Sequence, residues 1–350
     1  MFLSRHRLLR MALSYALGLS LLAGLPGAVR AADVPVRVIL DWKAQGPHSW
    51  FYLAKEKGYF QAKGLNVTID QGDGSAAAVT RVLSGAYDAG FGDINALVQV
   101  AAQEPAKAPV MVSLLYNRAP FAIISKADGP VKSLKDLEGR TVATPAGSAT
   151  FKLFPALAAK NGVDASKVKE LNAAPNLIEQ LLVRGDADAV AQFASTSYMN
   201  FVGMKLDPDK DFRYFYYTDL VLDMYSNGII VSRKFASEQP PAVRGLLRAI
   251  HKAIRDVAAD PDAGIAVIKK VNPLTDAAVE RQRLMVTLSQ QMRTQETARL
   301  GLGDLSDVRL AAAIDTLAAA YNLPAKPAPG TVFDRSFLPP KGDRMLPSAP

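Results

Sequence analysis

Asp41, Trp42 and His48 are the first residues of this chain whose types and spacing could do chemistry. They follow a short apolar run at 36–40 (VRVIL) and share one polar loop. The flat ring of Trp42 could stack on a planar ligand, or pack against the protein surface. His48 can donate or accept a hydrogen bond near neutral pH, or brace its own loop through a backbone carbonyl. Asp41 could accept from a ligand amine or bond the following turn. Further along, Gly74 and Ser75 open one helix, and Gly147 and Ser148 open another. Unpaired N–H groups at a helix start, together with the helix dipole, attract anions and acceptor atoms, and glycines let a ligand approach the backbone. Ordinary capping by Ser75 and Ser148 explains the same residues without a ligand. Asp93 and Asn95 follow a short strand. Their side chains could reach a cleft, although a helix cap is the preferred reading for Asp93. Gln192, Phe193 and Ser195 follow a later strand in the equivalent place.

Composition removes other chemistries. The chain has 350 residues, no cysteine and three histidines. Disulfide frameworks, thiolate metal sites and cysteine nucleophiles are excluded. No Gly-x-Ser-x-Gly, His-Glu-x-x-His, phosphate-loop or dinucleotide fingerprint occurs in its required context. His48 and His251 are far apart, and His251 falls within a helical run as a structural or surface residue. No catalytic residue, metal or cofactor is therefore expected. The formal net charge is +8, but like charges are dispersed, so nucleic-acid binding is not implied. An anionic ligand would call for a buried cation, for which Lys43, Arg81 and Arg118 are the candidates.

These residues need elements to position them. Residues 1–31 read as an export signal rather than fold. Arg5, Arg7 and Arg10 precede an uncharged apolar run at 11–25, and small residues surround Arg30 up to Ala31. That run is shorter than the ~20 residues a membrane-spanning helix needs. Cleavage after Ala31 would remove four basic residues and no acid, leaving a less basic, exported protein; a periplasm is the expected compartment. Beyond it, short apolar runs alternate with helical patterns, which indicates parallel strand pairs in an α/β fold. Helices are expected over 48–64, 76–83, 95–103, 149–161, 177–184, 243–259, 263–271, 275–295 and 306–321. The proline-rich residues 324–350 read as a tail whose end is loosely held. A glycine-rich turn, a helix and then Gly-x-x-Asp-Ala occur twice, at 72–89 and 145–189. Two similar α/β lobes would place their strand ends at a shared cleft, where ligands bind in open sheets.

The order of motifs adds a resemblance. Residues 40–42 (LDW), His48, 53–60 (LAKEKGYF) and 64–67 (GLNV), then 133–142 (SLKDLEGRTV) with Gly147 and Ser148, then 228–232 (GIIVS), resemble the ABC-transporter substrate-binding proteins of the nitrate, sulfonate, taurine and thiamin-pyrimidine group. The resemblance covers roughly 36–321, and the Trp42–His48 pair is nearer the pyrimidine-precursor branch. It implies a two-lobed periplasmic binding protein of type II, each lobe a mixed sheet flanked by helices. Lobe 1 would comprise 32–118 and 228–323, and lobe 2 would comprise 119–227. Two crossovers near 116–120 and 223–228 would bring Tyr116, Tyr225 and Asn227 to the cleft. The implied function is capture of a small planar heterocycle by hinge closure and delivery to an inner-membrane ABC permease, by a monomer. Binding of a sulfonate, nitrate or aromatic carboxylate is the alternative. The same fold serves a fungal pyrimidine synthase that consumes its own histidine, and His48 falls at that position. That enzyme is cytosolic and carries a cysteine-rich run, which this chain lacks.

Overall fold

A computed structural model of the chain describes residues 33–220 and 223–348. The export signal expected at 1–31 lies outside the described residues. Among the described residues ten strands are formed: β1 (Val34–Ile39), β2 (Leu65–Asp70), β3 (Ala89–Asp93), β4 (Val110–Leu114), β5 (Phe121–Lys126), β6 (Thr141–Thr144), β7 (Lys169–Asn172), β8 (Ala189–Phe193), β9 (Phe212–Tyr216) and β10 (Asn227–Val231). They make two five-stranded sheets, ordered β2-β1-β3-β10-β4 and β7-β6-β8-β5-β9.

The two sheets repeat one plan. β1 pairs in parallel with β2 and β3, as β6 does with β7 and β8. One reversed strand then pairs antiparallel on both sides, β10 in the first sheet and β5 in the second. These are the strands that admit the chain to each sheet: it leaves β4 for β5, and returns from β9 to β10. Both sheets are thus mixed rather than purely parallel. The inner strands β3 and β10 and the edge strand β4 are buried along their whole length, as expected of strands covered on both faces. Strand β7 (KELN) is missing from the sequence reading because it is a short edge strand with no apolar alternation to betray it.

Local chemistry shortens several expected helices. The helix read over 48–64 is a 3-10 turn, Gly46–His48, followed by Ser49–Glu56 and a second 3-10 turn, Gln61–Lys63, that stops at left-handed Gly64. The helix read over 149–161 breaks at Leu153, because Pro155 cannot donate to a preceding turn and begins a new helix, Phe154–Lys160. The helix read over 275–295 is Ala277–Val286, which then widens into a π-helical turn, Thr287–Met292.

Residues 329–348 pack against the rest of the chain, and the end expected to be loosely held, 349–350, lies outside the described residues. Val332, Phe333 and Phe337 are buried, and the buried guanidinium of Arg344 donates to the Leu302 and Pro339 carbonyls. Met111 of β4 forms a bridge with Phe333. The Asp307–Tyr321 helix packs on Ile94–Gln103 beside the first sheet and on Phe154–Lys160 beside the second. One apolar core therefore runs between the sheets through Leu97, Leu157, Ile314 and Leu317. Among the described residues no helix is long and apolar enough to cross a membrane.

His251 lies inside the Pro240–Ala259 helix, with Nε2 2.9 Å from Ser113 Oγ. Burial, and secondarily Arg344, push its pKa down to about 3. Unfolded, it would titrate near 6.5. Between those values the unfolded chain holds a proton that the folded chain does not. Its contribution to stability is therefore complete above about pH 6.5 and is lost as pH falls toward 3, at up to about 1.4 kcal/mol per pH unit. Urea denaturation of wild type and His251→Gln across pH 4–7 should give a shallower acid loss for the variant. Parallel curves would contradict this.

Candidate functional site

The loops at the carboxyl ends of the parallel strands of both sheets face one another. Between them is a cavity of about 530 Å³, counted out to its open mouth. Asp41 and Trp42 follow β1, Gly74 and Ser75 follow β2, and Tyr116 follows β4. Ser148 follows β6, and Gln192 and Phe193 end β8. His48 completes the first wall. Ten of the residues singled out in the sequence, including Ser195 after β8, thus line one space.

A buried polar network fixes the first wall. The Gln45 backbone N–H donates to His48 Nδ1 at 3.2 Å, so Nδ1 is an acceptor and Nε2 carries the hydrogen. Nε2 donates to Asp41 Oδ1 at 2.8 Å, and Asn227 Nδ2 donates to Asp41 Oδ2 at 2.8 Å. His48 therefore braces its loop, through a backbone amide rather than a carbonyl. Its ring meets Phe91 edge-on, Phe91 meets Tyr116, and Tyr116 meets Phe193 of the opposite half at 6.4 Å. Burial, and secondarily Asp41, hold the Tyr116 hydroxyl well above its ordinary pKa, so it stays a donor.

Three buried polar atoms on cavity-lining residues have no protein partner: Trp42 Nε1, Gln192 Nε2 and Gln291 Oε1. A polar atom left so costs about 1–3 kcal/mol, which a ligand bond would recover. They supply two donors and one acceptor from three separate segments.

The charges of the site are matched. Arg283 lines the cavity with its charge paired and three of its five N–H groups bonded within the protein. Nε donates to both Glu280 oxygens at 3.1 and 3.0 Å, Nη1 to the Thr196 carbonyl at 2.8 Å, and Nη2 to Asn200 Oδ1 at 3.0 Å. Glu280 also accepts from the Gly46 amide at 2.7 Å. Lys43, Arg81 and Arg118 do not line the cavity; Arg81 pairs with Asp73 on the surface. The expected anion-binding helix start is closed as well. The Gly147 carbonyl accepts from the amides of Ala76 at 3.2 Å and Ala77 at 3.4 Å, across the cleft. A Cβ on Gly74 would stand 2.1 Å from that oxygen, so Gly74 allows the two halves to meet rather than a ligand to enter. Ser148 Oγ accepts from the Phe151 amide and caps its own short helix.

Five of the sequence candidates lie off the cavity wall. Gly147 makes the contact just described. Asp93 is fully buried and caps Ile94–Gln103, accepting from the Asn95 and Ala96 amides; burial, partly countered by these bonds, pushes its pKa up to about 6. Asn95 donates to the Tyr225 carbonyl. Tyr225 donates to Glu296 and lies under Arg309, whose guanidinium carbon is 4.0 Å from the ring centre. Asn227 holds Asp41 from behind. These side chains stabilise the segments between the sheets. Conversely, Arg283, Thr287 and Gln291 were missed. Their spacing of four, within a helix that buries Leu284 and Leu288, is a polar stripe that the sequence does display.

Residues 45–264 match the family model described as NMT1/THI5 like. The chain belongs to that family. Among its relatives is the riboflavin-binding protein of Chloroflexus aurantiacus, 28% identical over 263 residues, 72% of this chain and 71% of that one. The 4-amino-5-hydroxymethyl-2-methylpyrimidine phosphate synthase of Aspergillus parasiticus is 22% identical over 71% of this chain and 73% of that one. The formylaminopyrimidine-binding protein of Halalkalibacterium halodurans is 24% identical over 67% and 69%. In fold, the chain is similar to the alkanesulfonate-binding protein of Xanthomonas axonopodis pv. citri bound to MOPS, with a TM-score of 0.64, 17% identity, and coverage of 87% and 99%. Asp41 and Trp42 precede the stretch that matches the NMT1/THI5-like family, and Arg283, Thr287 and Gln291 follow it.

Asp41→Ala would leave His48 Nε2–H and Asn227 Nδ2 buried without an acceptor. The expected loss is about 1–3 kcal/mol for each, measured by urea denaturation. A loss under about 0.5 kcal/mol would show that the network does not fix this wall.

Proposed function

We propose that this protein is the solute-binding component of an ABC importer, exported to the periplasm, and that it encloses a small, uncharged, planar nitrogen heterocycle between its lobes. A pyrimidine precursor of thiamin is the favoured class. The observation that carries the reading is the cavity's balance: aromatic walls, three buried hydrogen-bonding atoms free of protein partners, and no charge lacking a partner. A flat heterocycle fills the aromatic slot and meets the free donors and acceptor. The formylaminopyrimidine and riboflavin named for two relatives are molecules of this kind.

Binding works by hinge closure. The walls belong to different sheets, so a ligand touching both favours the closed arrangement over the open one. The closed surface is what an inner-membrane permease would then read. Sulfonate, nitrate or carboxylate capture is less well supported, because the one cation at the cavity is neutralised by Glu280. Conversion of His48 into a pyrimidine is less well supported too. Both ring nitrogens are engaged in holding the loop.

A thermal-shift screen tests this on protein unfolded and refolded to strip carried ligand. The panel is aminopyrimidines, riboflavin, alkanesulfonates, nitrate and aromatic carboxylates. A true ligand at ~100 times its dissociation constant adds about 2.7 kcal/mol of stability. The expected result is a shift with the heterocycles, lost in Trp42→Ala. A shift confined to the anions would overturn the reading.

A further inference from the structure

Gln291 is held at two points and carries one buried polar atom without a protein partner. Its backbone carbonyl accepts from the Arg118 amide at 3.1 Å, in the segment joining β4 to β5. Its Nε2 donates to Ser195 Oγ of the second half at 2.8 Å. The residue lines the cavity, and its Oε1 is buried with no protein partner. The side chain is only 3% exposed, so it has little freedom to turn away.

The π-helical turn explains how it comes to be there. In a regular α-helix, at ~3.6 residues per turn, Gln291 would sit about 80° around the axis from Arg283. The wider i→i+5 turn over Thr287–Met292 brings it back toward that face. Arg283, Thr287 and Gln291 then line the cavity together. A π turn has poorer backbone geometry than an α turn and recurs at functional sites, where it re-aims a side chain.

We infer that Gln291 is a specificity-determining residue, and that its Oε1 selects a ligand presenting an N–H donor. This rests on the reading of the cavity as a heterocycle site. With Nε2 directed at Ser195 Oγ, the amide leaves Oε1 as its free end. The requirement then falls on the ligand: an exocyclic amine or a ring N–H must point at the π turn, and a ligand without one leaves Oε1 unpaired. An unpaired buried acceptor discriminates more sharply than a change of apolar contact area.

Isothermal titration with paired probes tests it. One pair is 4-amino-5-hydroxymethyl-2-methylpyrimidine and its 4-methyl analogue, which keeps the shape and loses the amine. The other is riboflavin and N3-methylriboflavin. Wild type should prefer the N–H member of whichever pair it binds by about 10- to 100-fold. In Gln291→Leu the two members should bind within about threefold. Gln291→Glu keeps an acceptor oxygen and should restore the preference. A purely structural role would weaken both members alike and leave their ratio unchanged, and that result overturns the inference while the proposed function stands. If wild type binds neither pair, the heterocycle reading fails, and the role of Gln291 with it.

Discussion

A guanidinium taken out of water costs several kcal/mol unless its charge and its N–H groups find partners. Arg283 is such a group, 3% exposed between the two halves of the molecule. Glu280 supplies the opposite charge from one turn earlier on the same helix. The Thr196 carbonyl and Asn200 Oδ1 each accept one further N–H from the second half. These two contacts exist only when the halves are together. Much else is arranged around this: Glu280 also fixes Gly46 at the start of the His48 loop, and Gly74 and Gly147 lack side chains where the halves touch. A charge already paired within the protein attracts an anionic ligand less strongly, which is why the pairing bears on what the cavity accepts.

The contrast between satisfied and unsatisfied groups gives the closure mechanism its energetics. The groups that build the walls, Asp41, His48, Asn227 and Arg283, are bonded to one another. The groups that remain, Trp42 Nε1, Gln192 Nε2 and Gln291 Oε1, come from both halves and lack protein partners. Bringing them together without a ligand costs free energy, and a molecule that bonds to them from both sides offsets that cost only in the closed arrangement. Ligand selection and closure are then the same event, carried by the same atoms.

The sequence made the first half of this legible because its signals are local. Apolar runs ending in polar loops located Asp41, Trp42 and His48, and the repeated glycine-rich turns located Ser75 and Ser148. What it could not show was how a side chain spends its hydrogen bonds. Ser75 and Ser148 look like the mouths of anion sites, but a carbonyl from the opposite half occupies the Ala76 and Ala77 amides. Tyr225 sits at a crossing, yet it turns toward Glu296 and Arg309. The wall formed by Arg283, Thr287 and Gln291 was hidden for a different reason. The Glu280–Gln291 stripe reads as an ordinary helix face until a π turn, which has no sequence signature, swings Gln291 inward. The proline-rich composition of 324–348 likewise gave no sign that Phe333 and Arg344 are buried.

The most direct test of the central claim is the chemical identity of what the protein carries. Purified natively from cells grown on rich medium, without refolding, it can be weighed intact with its cargo, and the cargo then released and identified by mass spectrometry. The account predicts a neutral nitrogen heterocycle with at least one N–H donor and two acceptors, at up to one molecule per chain. A sulfonate, nitrate or carboxylate recovered at that stoichiometry would contradict it.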